Sequence, residues 1–196
     1  MNTFYLIRHG QKENIKEDPG LTELGQKQAK ITGDYLKNKN VLKVFSSPQK
    51  RALQTALIIG KKLSLKVKID KRLKERIDWG DYPDLPLAEF LKKWDYSSLH
   101  RNFKPEFGDS SIDAGNRLKM FICEISKKFP GKNIVLATHG GLITDLLRNL
   151  FSEEKLQKYK QDFPEEKGKE CSITVLVKNN NDYLLKQVGS TDHHSC

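Results

Sequence analysis

Four apolar residues, Phe4-Tyr5-Leu6-Ile7, open the chain as one uninterrupted run that ends in Arg8-His9-Gly10. A run without alternation predicts a strand buried on both faces. The same design returns at Ile134-Val135-Leu136-Ala137, which leads through Thr138 into His139-Gly140-Gly141. Val41-Leu42-Lys43-Val44-Phe45 predicts another strand, and Leu65 to Ile69 alternates as a half-exposed or edge strand does. Near the end, Ser172 to Val177 and Tyr183 to Val188 flank Asn179-Asn180-Asn181-Asp182, which predicts a hairpin.

Helical spacing fills the intervals. Thr22 is placed as an N-cap ahead of a helix whose stripe is Leu24, Gln28, Ile31 and Tyr35, ending near Asn38-Lys39-Asn40. Ser47 is placed as the N-cap of the next helix, with Pro48 at its first position and Ala52, Ala56, Ile59 and Leu63 on its buried face. Ile112 to Phe129 predicts a helix that buries Leu118, Phe121, Ile122 and Ile125 and closes on Pro130-Gly131. A helix also starts at once after His139, with Leu142, Ile143, Leu146, Leu147 and Leu150 inward. Residues 152–170 are charged and expected to be part helix, part loop.

Between these elements lies a stretch with weaker periodicity. Leu73 to Pro83 is acidic, aromatic and marked by Gly and Pro, as functional loops are. In 84–111, Leu87, Phe90, Leu91 and Trp94 predict a short amphipathic helix, with Tyr96, Phe103 and Phe107 among turns. We expect a small helical cover at about 79–111 over one end of the sheet. Trp79, Tyr82, Trp94, Tyr96, Phe103 and Phe107 would then either shape a substrate side tolerant of bulky, partly apolar leaving groups or simply pack the cover. Strands that alternate with helices predict an α/β fold, a three-layer α/β/α sandwich with a mostly parallel doubly wound sheet. No repeat or linker divides the chain, so 1–196 is taken as one domain.

Composition narrows the class. The chain has 196 residues, 31% of them charged and 37% hydrophobic, as expected of a soluble globular domain. No apolar run approaches the length of a membrane span, and no basic and apolar leader precedes the first strand. Cys123, Cys171 and Cys196 are few, odd in number and distant, which predicts reduced thiols in a cytoplasmic protein. The net charge is +10, but of 35 basic residues only seven are Arg (Arg8, Arg51, Arg72, Arg76, Arg101, Arg117, Arg148). The surplus is a lysine-rich surface, compatible with attraction to anions.

The chemistry gathers at strand ends. In a doubly wound sheet the carboxyl ends of parallel strands share one edge, so Arg8, His9, Arg51 and His139 can converge there. Two imidazoles and two guanidiniums around one point suit a phosphate dianion. His9 can serve as a nucleophile, and the N–H of Gly140 at a helix start is a further donor. The same histidines and basic surface leave two readings from another class open: RNA cleavage by general acid–base catalysis, and nucleic-acid binding without chemistry. No recognisable nucleic-acid motif supports either.

The motifs Leu6-Ile7-Arg8-His9-Gly10, Leu21-Thr22-Glu23-Leu24-Gly25-Gln26-Lys27-Gln28-Ala29, Ser46-Ser47-Pro48-Gln49-Lys50-Arg51-Ala52-Leu53-Gln54-Thr55-Ala56, Leu73-Lys74-Glu75-Arg76 with Gly80, and Thr138-His139-Gly140-Gly141 follow one another in order. Together they resemble the successive signatures of the histidine phosphatase superfamily, in its phosphoglycerate-mutase-like branch. Ser190-Thr191-Asp192-His193 resembles the closing segment. The resemblance implies a histidine-acid-type phosphomonoesterase that needs neither metal nor cofactor. His9 would carry a phosphoryl group, Arg8, Arg51 and His139 would hold its oxygens, and Glu75 would be the proton donor. Gly140, Gln11 and Asn14 join the phosphate-binding candidates. The family pattern often has Asn six residues beyond the nucleophile; here that residue is Ile15, with Asn14 beside it. The implied partner is a small phosphate ester rather than a membrane or nucleic acid. A homodimer stays open, as does the alternative of mutase-type phosphoryl transfer.

Overall fold

The computed structural model describes residues 1–162 and 169–195. The elements run β1 (Asn2–Arg8), α1 (Glu23–Leu36), β2 (Val41–Ser46), α2 (Lys50–Leu63), β3 (Val67–Ile69), α3 (Leu87–Leu99), α4 (Ser111–Lys128), β4 (Asn133–Thr138), α5 (Gly140–Leu150), α6 (Glu153–Asp162), β5 (Ile173–Asn179) and β6 (Asp182–Ser190). They build one six-stranded sheet in the order β3-β2-β4-β1-β5-β6. β1 to β4 are mutually parallel, whereas β5 runs antiparallel to β1 and pairs with β6 as the expected hairpin. The α/β class and the mostly parallel sheet are as the pattern predicts.

The uninterrupted apolar runs are explained by two cores, one on each face. Phe4 and Leu6 of β1 join Ile134 and Leu136 of β4 against α4 and α5, through Leu118, Phe121, Ile122 and Leu146. The alternate residues, Tyr5, Ile7, Val135 and Ala137, face Leu36 of α1 and Ala56 and Ile59 of α2. Each strand residue therefore points into one core or the other, and no position can be polar at low cost. The register sets Arg8 beside Thr138 and Ser46 beside Ala137, so three strand ends meet at one edge.

Two local expectations are corrected. The stripe Leu24, Ile31 and Tyr35 is exposed; α1 instead buries Gly25, Ala29, Thr32, Gly33 and Leu36. Small residues win because α1 lies so close to α2 that a Cβ at Gly33 would sit 2.9 Å from Lys62 Cβ. Second, α2 begins at Lys50 with no side-chain cap from its cap residue Gln49. The Lys50 N–H is met from outside the helix by the Asp18 carboxylate at 2.9 and 3.0 Å, leaving Ser47 for another use. Thr22 does cap α1, accepting from Gly25 N at 3.1 Å.

Beyond the sheet edge, α3 forms a cover, with a small cluster of Ile77, Tyr82 and Phe90 beneath it. Tyr96, Phe103 and Phe107 are exposed. The cover is fastened by Arg76. Its Nη1 donates to both oxygens of Asp145 on α5, at 2.9 and 3.1 Å, and its Nη2 donates to Trp94 O and Ser98 Oγ on α3. Ser111 at the start of α4 donates to the same Asp145 at 2.6 Å. Both charged groups are almost fully buried. Of the charged stretch 152–170, α6 is helical, and residues 163–168 lie outside the described residues, as does Cys196. Cys123 and Cys171 are free thiols.

Removing one member of a buried ion pair leaves the other charged and dry, which costs about 3–5 kcal/mol. Asp145→Ala is therefore expected to lower unfolding free energy by about that much in urea titrations. A loss below about 1 kcal/mol would show that water or Ser98 satisfies Arg76 without it.

Candidate active site

His9 is the first residue past β1, and its N–H donates to Thr138 O at 3.0 Å, which fixes it against the end of β4. Its ring Nδ1 meets the Gly10 carbonyl at 2.8 Å. A carbonyl only accepts, so Nδ1 carries the hydrogen and Nε2 keeps a lone pair. The ring is 6% exposed. Burial first, then the Arg51 charge, pushes its pKa down to about 3, against a weaker opposing pull from the Gly10 carbonyl. The imidazole is accordingly neutral at ordinary pH.

Two motif glycines make this turn feasible. A Cβ at Gly10 would lie 2.6 Å from Gly25 O, and one at Gly25 would lie 2.1 Å from Gln11 O. The loop after His9 thus rests directly on the first turn of α1, backbone on backbone.

His139 ends β4 as His9 ends β1, and the two rings stand edge to face at 5.3 Å between centroids. Ser47 Oγ lies 2.8 Å from His139 Nε2. This contact is where the expected capping serine goes. The ring's Nδ1 is buried with no partner among the described residues. Burial, followed by the Arg51 charge, holds its pKa well below the usual range.

Arg51 enters from the first turn of α2. It is buried, and its Nη2 donates to Asp78 Oδ2 at 2.7 Å, while its Nε has no partner among the described residues. Gln49 also donates to Asp78 and accepts the Glu75 N–H at 2.8 Å. Arg8 lies with its stem against Gly140 and its Nη2 3.8 Å from Glu170.

Glu75 faces these cations. Its Oε1 accepts from Arg76 N at 2.9 Å and its Oε2 from Gly141 N at 3.0 Å, in the first turn of α5. A Cβ on Gly141 would meet Glu75 Oε1 at 2.7 Å and the Trp94 ring at 2.5 Å, so the glycine is required. Burial raises the Glu75 pKa; the Arg76 N–H opposes this, nearby Asp145 adds to it, and the Arg76 and Arg51 charges oppose it. The aromatic neighbour is Trp94 rather than Trp79, which packs with Ile77 under the cover.

Arg8, His9, Arg51, Glu75 and Gly140 line one cavity of about 520 Å³, with His139 and Ser47 behind it. Leu91 and Trp94 from the cover and Thr144 and Arg148 from α5 form its outer walls. Two candidates lie elsewhere. Gln11 is drawn to α1, its N–H donating to Gln28 at 2.9 Å and its Oε1 accepting from Thr22 at 2.8 Å. Asn14 is exposed and lines an adjoining cavity with Ile15 and Trp79. Lys12 of the same loop borders that cavity too and also lines the site cavity, which Asn14 does not. Nothing in the pattern marks this lysine among 28, and Ser47, Asp78 and Gln49 are likewise recognisable only from their spatial partners. Among the described residues no group of three or more His, Cys, Asp or Glu could hold a metal ion, and no helix is long and apolar enough to cross a membrane.

Comparison with known proteins bears on residues across the whole chain. The family model of the histidine phosphatase superfamily (branch 1) matches residues 4–191. An uncharacterised phosphatase, PhoE, of Bacillus subtilis is 31% identical over 157 residues, 76% of this chain and 78% of that protein. Phosphoserine phosphatase 1 of Hydrogenobacter thermophilus is 33% identical over 146 residues, 68% of this chain and 69% of its own length. Among solved structures, a mycobacterial glucosyl-3-phosphoglycerate phosphatase in complex with VO3 shares the fold at a TM-score of 0.75 and 24% identity, covering 97% of this chain and 100% of that one. The chain belongs to the histidine phosphatase superfamily, branch 1.

Proposed function

We propose that the protein is a phosphomonoesterase that hydrolyses a small phosphorylated metabolite through a phosphohistidine on His9. The observation that carries this reading is the opposite tuning of two groups facing one cationic cavity. His9 is neutral with a free Nε2, and Glu75 is shifted toward holding its proton. The nucleophile is thus in its working protonation state near neutral pH, and burial shifts the acid toward its own. The named phosphatases among the relatives support the same reaction class.

In the first step Nε2 attacks phosphorus in line, the ester P–O bond breaks, and the leaving oxygen takes the Glu75 proton. Arg8, Arg51, His139 and the Gly140 N–H hold the equatorial oxygens. His139 Nδ1 and Arg51 Nε, buried without partners among the described residues, gain one by doing so. Each charge-assisted bond contributes roughly 1.5–3 kcal/mol, and several are needed for so slow a reaction. In the second step water attacks the phosphohistidine, Glu75 takes its proton, and the P–N bond breaks to free inorganic phosphate and restore His9. The guanidiniums supply the charge neutralisation that a metal supplies elsewhere, and we read the reaction as metal-independent.

Mixing the protein with a phosphate ester is expected to give acid-labile phosphate on His9 by mass spectrometry, absent in His9→Ala. Turnover without any phosphoenzyme under rapid quench would exclude this mechanism. Inorganic phosphate should appear in step with ester loss; its absence, with isomeric ester accumulating, would mean mutase-type transfer. Chelation with EDTA is expected to leave the rate unchanged.

Glu75 sets the pH dependence. The first step needs its protonated form, so the rate is expected to fall as pH rises through the raised Glu75 pKa. The His9 limb lies far lower, near its value of about 3. Glu75→Gln should spare phosphorylation by p-nitrophenyl phosphate, whose leaving group needs no proton. It should cut alkyl phosphate cleavage by roughly 10²–10⁴-fold. Equal losses on both esters in the phosphorylation step, read by rapid quench apart from dephosphorylation, would remove Glu75 from the acid role.

A further inference from the structure

We propose that Lys12 is an additional ligand of the phosphoryl group, supplied by the loop after His9 where the side-chain amide of the motif is missing. This rests on the phosphatase reading above. The position six beyond His9 is Ile15, apolar and exposed, and Asn14 is turned to the adjoining cavity. Lys12 is the residue of this loop, beyond His9 itself, that lines the cavity with Arg8, Arg51 and Glu75.

The loop that carries it is pinned at both ends. Lys12 pairs with Leu21 in an isolated antiparallel bridge. Glu13 N donates to Gly20 O at 2.9 Å, the Glu13 carboxylate accepts from Gly20 N at 3.1 Å, and Leu21 N donates to Gln54 at 2.6 Å. The Lys12 backbone is thereby fixed, and only its four-carbon stem moves. An ammonium on such a stem has three donors and no directional preference, which suits an oxygen whose position shifts between ground and transition state.

The electrostatic surroundings point the same way. Lys12 and both arginines act on His9, each disfavouring its protonated form. The ammonium makes one long contact, 3.5 Å to its neighbour's carbonyl, Glu13 O. Arg51 and Arg8 repel it and Asp78, already shared by Arg51 and Gln49, attracts it; Lys16 and Glu17 stand with it across the adjoining cavity, and Arg148 faces it from α5. Burial first, and then Arg51, lower its pKa. A bound dianion relieves the repulsion, so the cation works at the moment the site is filled.

Lys12→Met keeps the stem and removes the charge; Lys12→Arg keeps the charge and does not titrate. The test combines steady-state hydrolysis of a phosphate ester with calorimetric binding of orthovanadate, which needs no turnover. Lys12→Met is expected to lower kcat/KM and weaken vanadate binding, each by about ten- to a hundredfold. Lys12→Arg should keep most of the activity and of the vanadate affinity that Lys12→Met loses, a rescue by the restored cation that a purely structural role of the stem would not show. Values for Lys12→Met within about twofold of wild type would overturn the inference. Vanadate binding that depends on Lys12 in a protein that cleaves no ester would instead sink the phosphatase reading and leave the anion ligand standing.

Discussion

The rest of the site depends on a surplus of positive charge gathered around two buried groups, His9 and Arg51. Arg8, Lys12 and Arg51 converge on His9, and the carboxylates near them, Asp78, Asp18 and Glu170, offset only part of that charge. Such an arrangement repels itself and is tolerated because rigid elements impose it. The guanidinium of Arg51 is anchored to Asp78, and Arg8 leaves a strand locked between two others. Burial first, and then the same field, keeps both imidazoles uncharged, so the charge that disfavours the empty site also helps to leave the His9 Nε2 lone pair free.

A second connection joins the cationic side to Glu75. The Gln49 amide spans from Asp78 to the Glu75 N–H, and Arg76, the next residue, runs from Glu75 to Asp145, Trp94 and Ser98. Glu75 therefore sits on a chain of bonds whose two ends are α2 and the cover. Its carboxylate is aimed by backbone N–H groups on Arg76 and Gly141, not by a mobile side chain, and this fixes its place in the cavity.

Much of this was legible in the sequence, for identifiable reasons. β1 and β4 stand out because burial on both faces removes polar residues altogether, and their ends then display Arg8-His9-Gly10 and His139-Gly140 without ambiguity. The face of α1 was hidden because glycine and threonine carry the contact with α2, and apolar spacing gives such residues no weight. Ser47 looked like a cap since its real partner, His139, lies 92 residues away. Trp94 could not be told from Trp79, because which one reaches Glu75 depends on how α3 is tied down by Arg76. Lys12 was lost in a crowd of lysines; only the path of its loop distinguishes it.

The central position of β1 has a consequence for how the chain comes into being. Its sheet neighbours are β4 and β5, with Phe4 beside Ile134 on one side and Leu176 on the other. During synthesis this apolar strand thus emerges ahead of both partners and waits for them over more than a hundred residues of chain. Contacts so distant in sequence form slowly, and an unpaired apolar strand invites association with other chains. The elements that follow β1 directly are a charged loop and α1, which do not pair with it in the sheet. For this protein the nascent chain, more than the finished fold, is where chaperone dependence and aggregation should be sought.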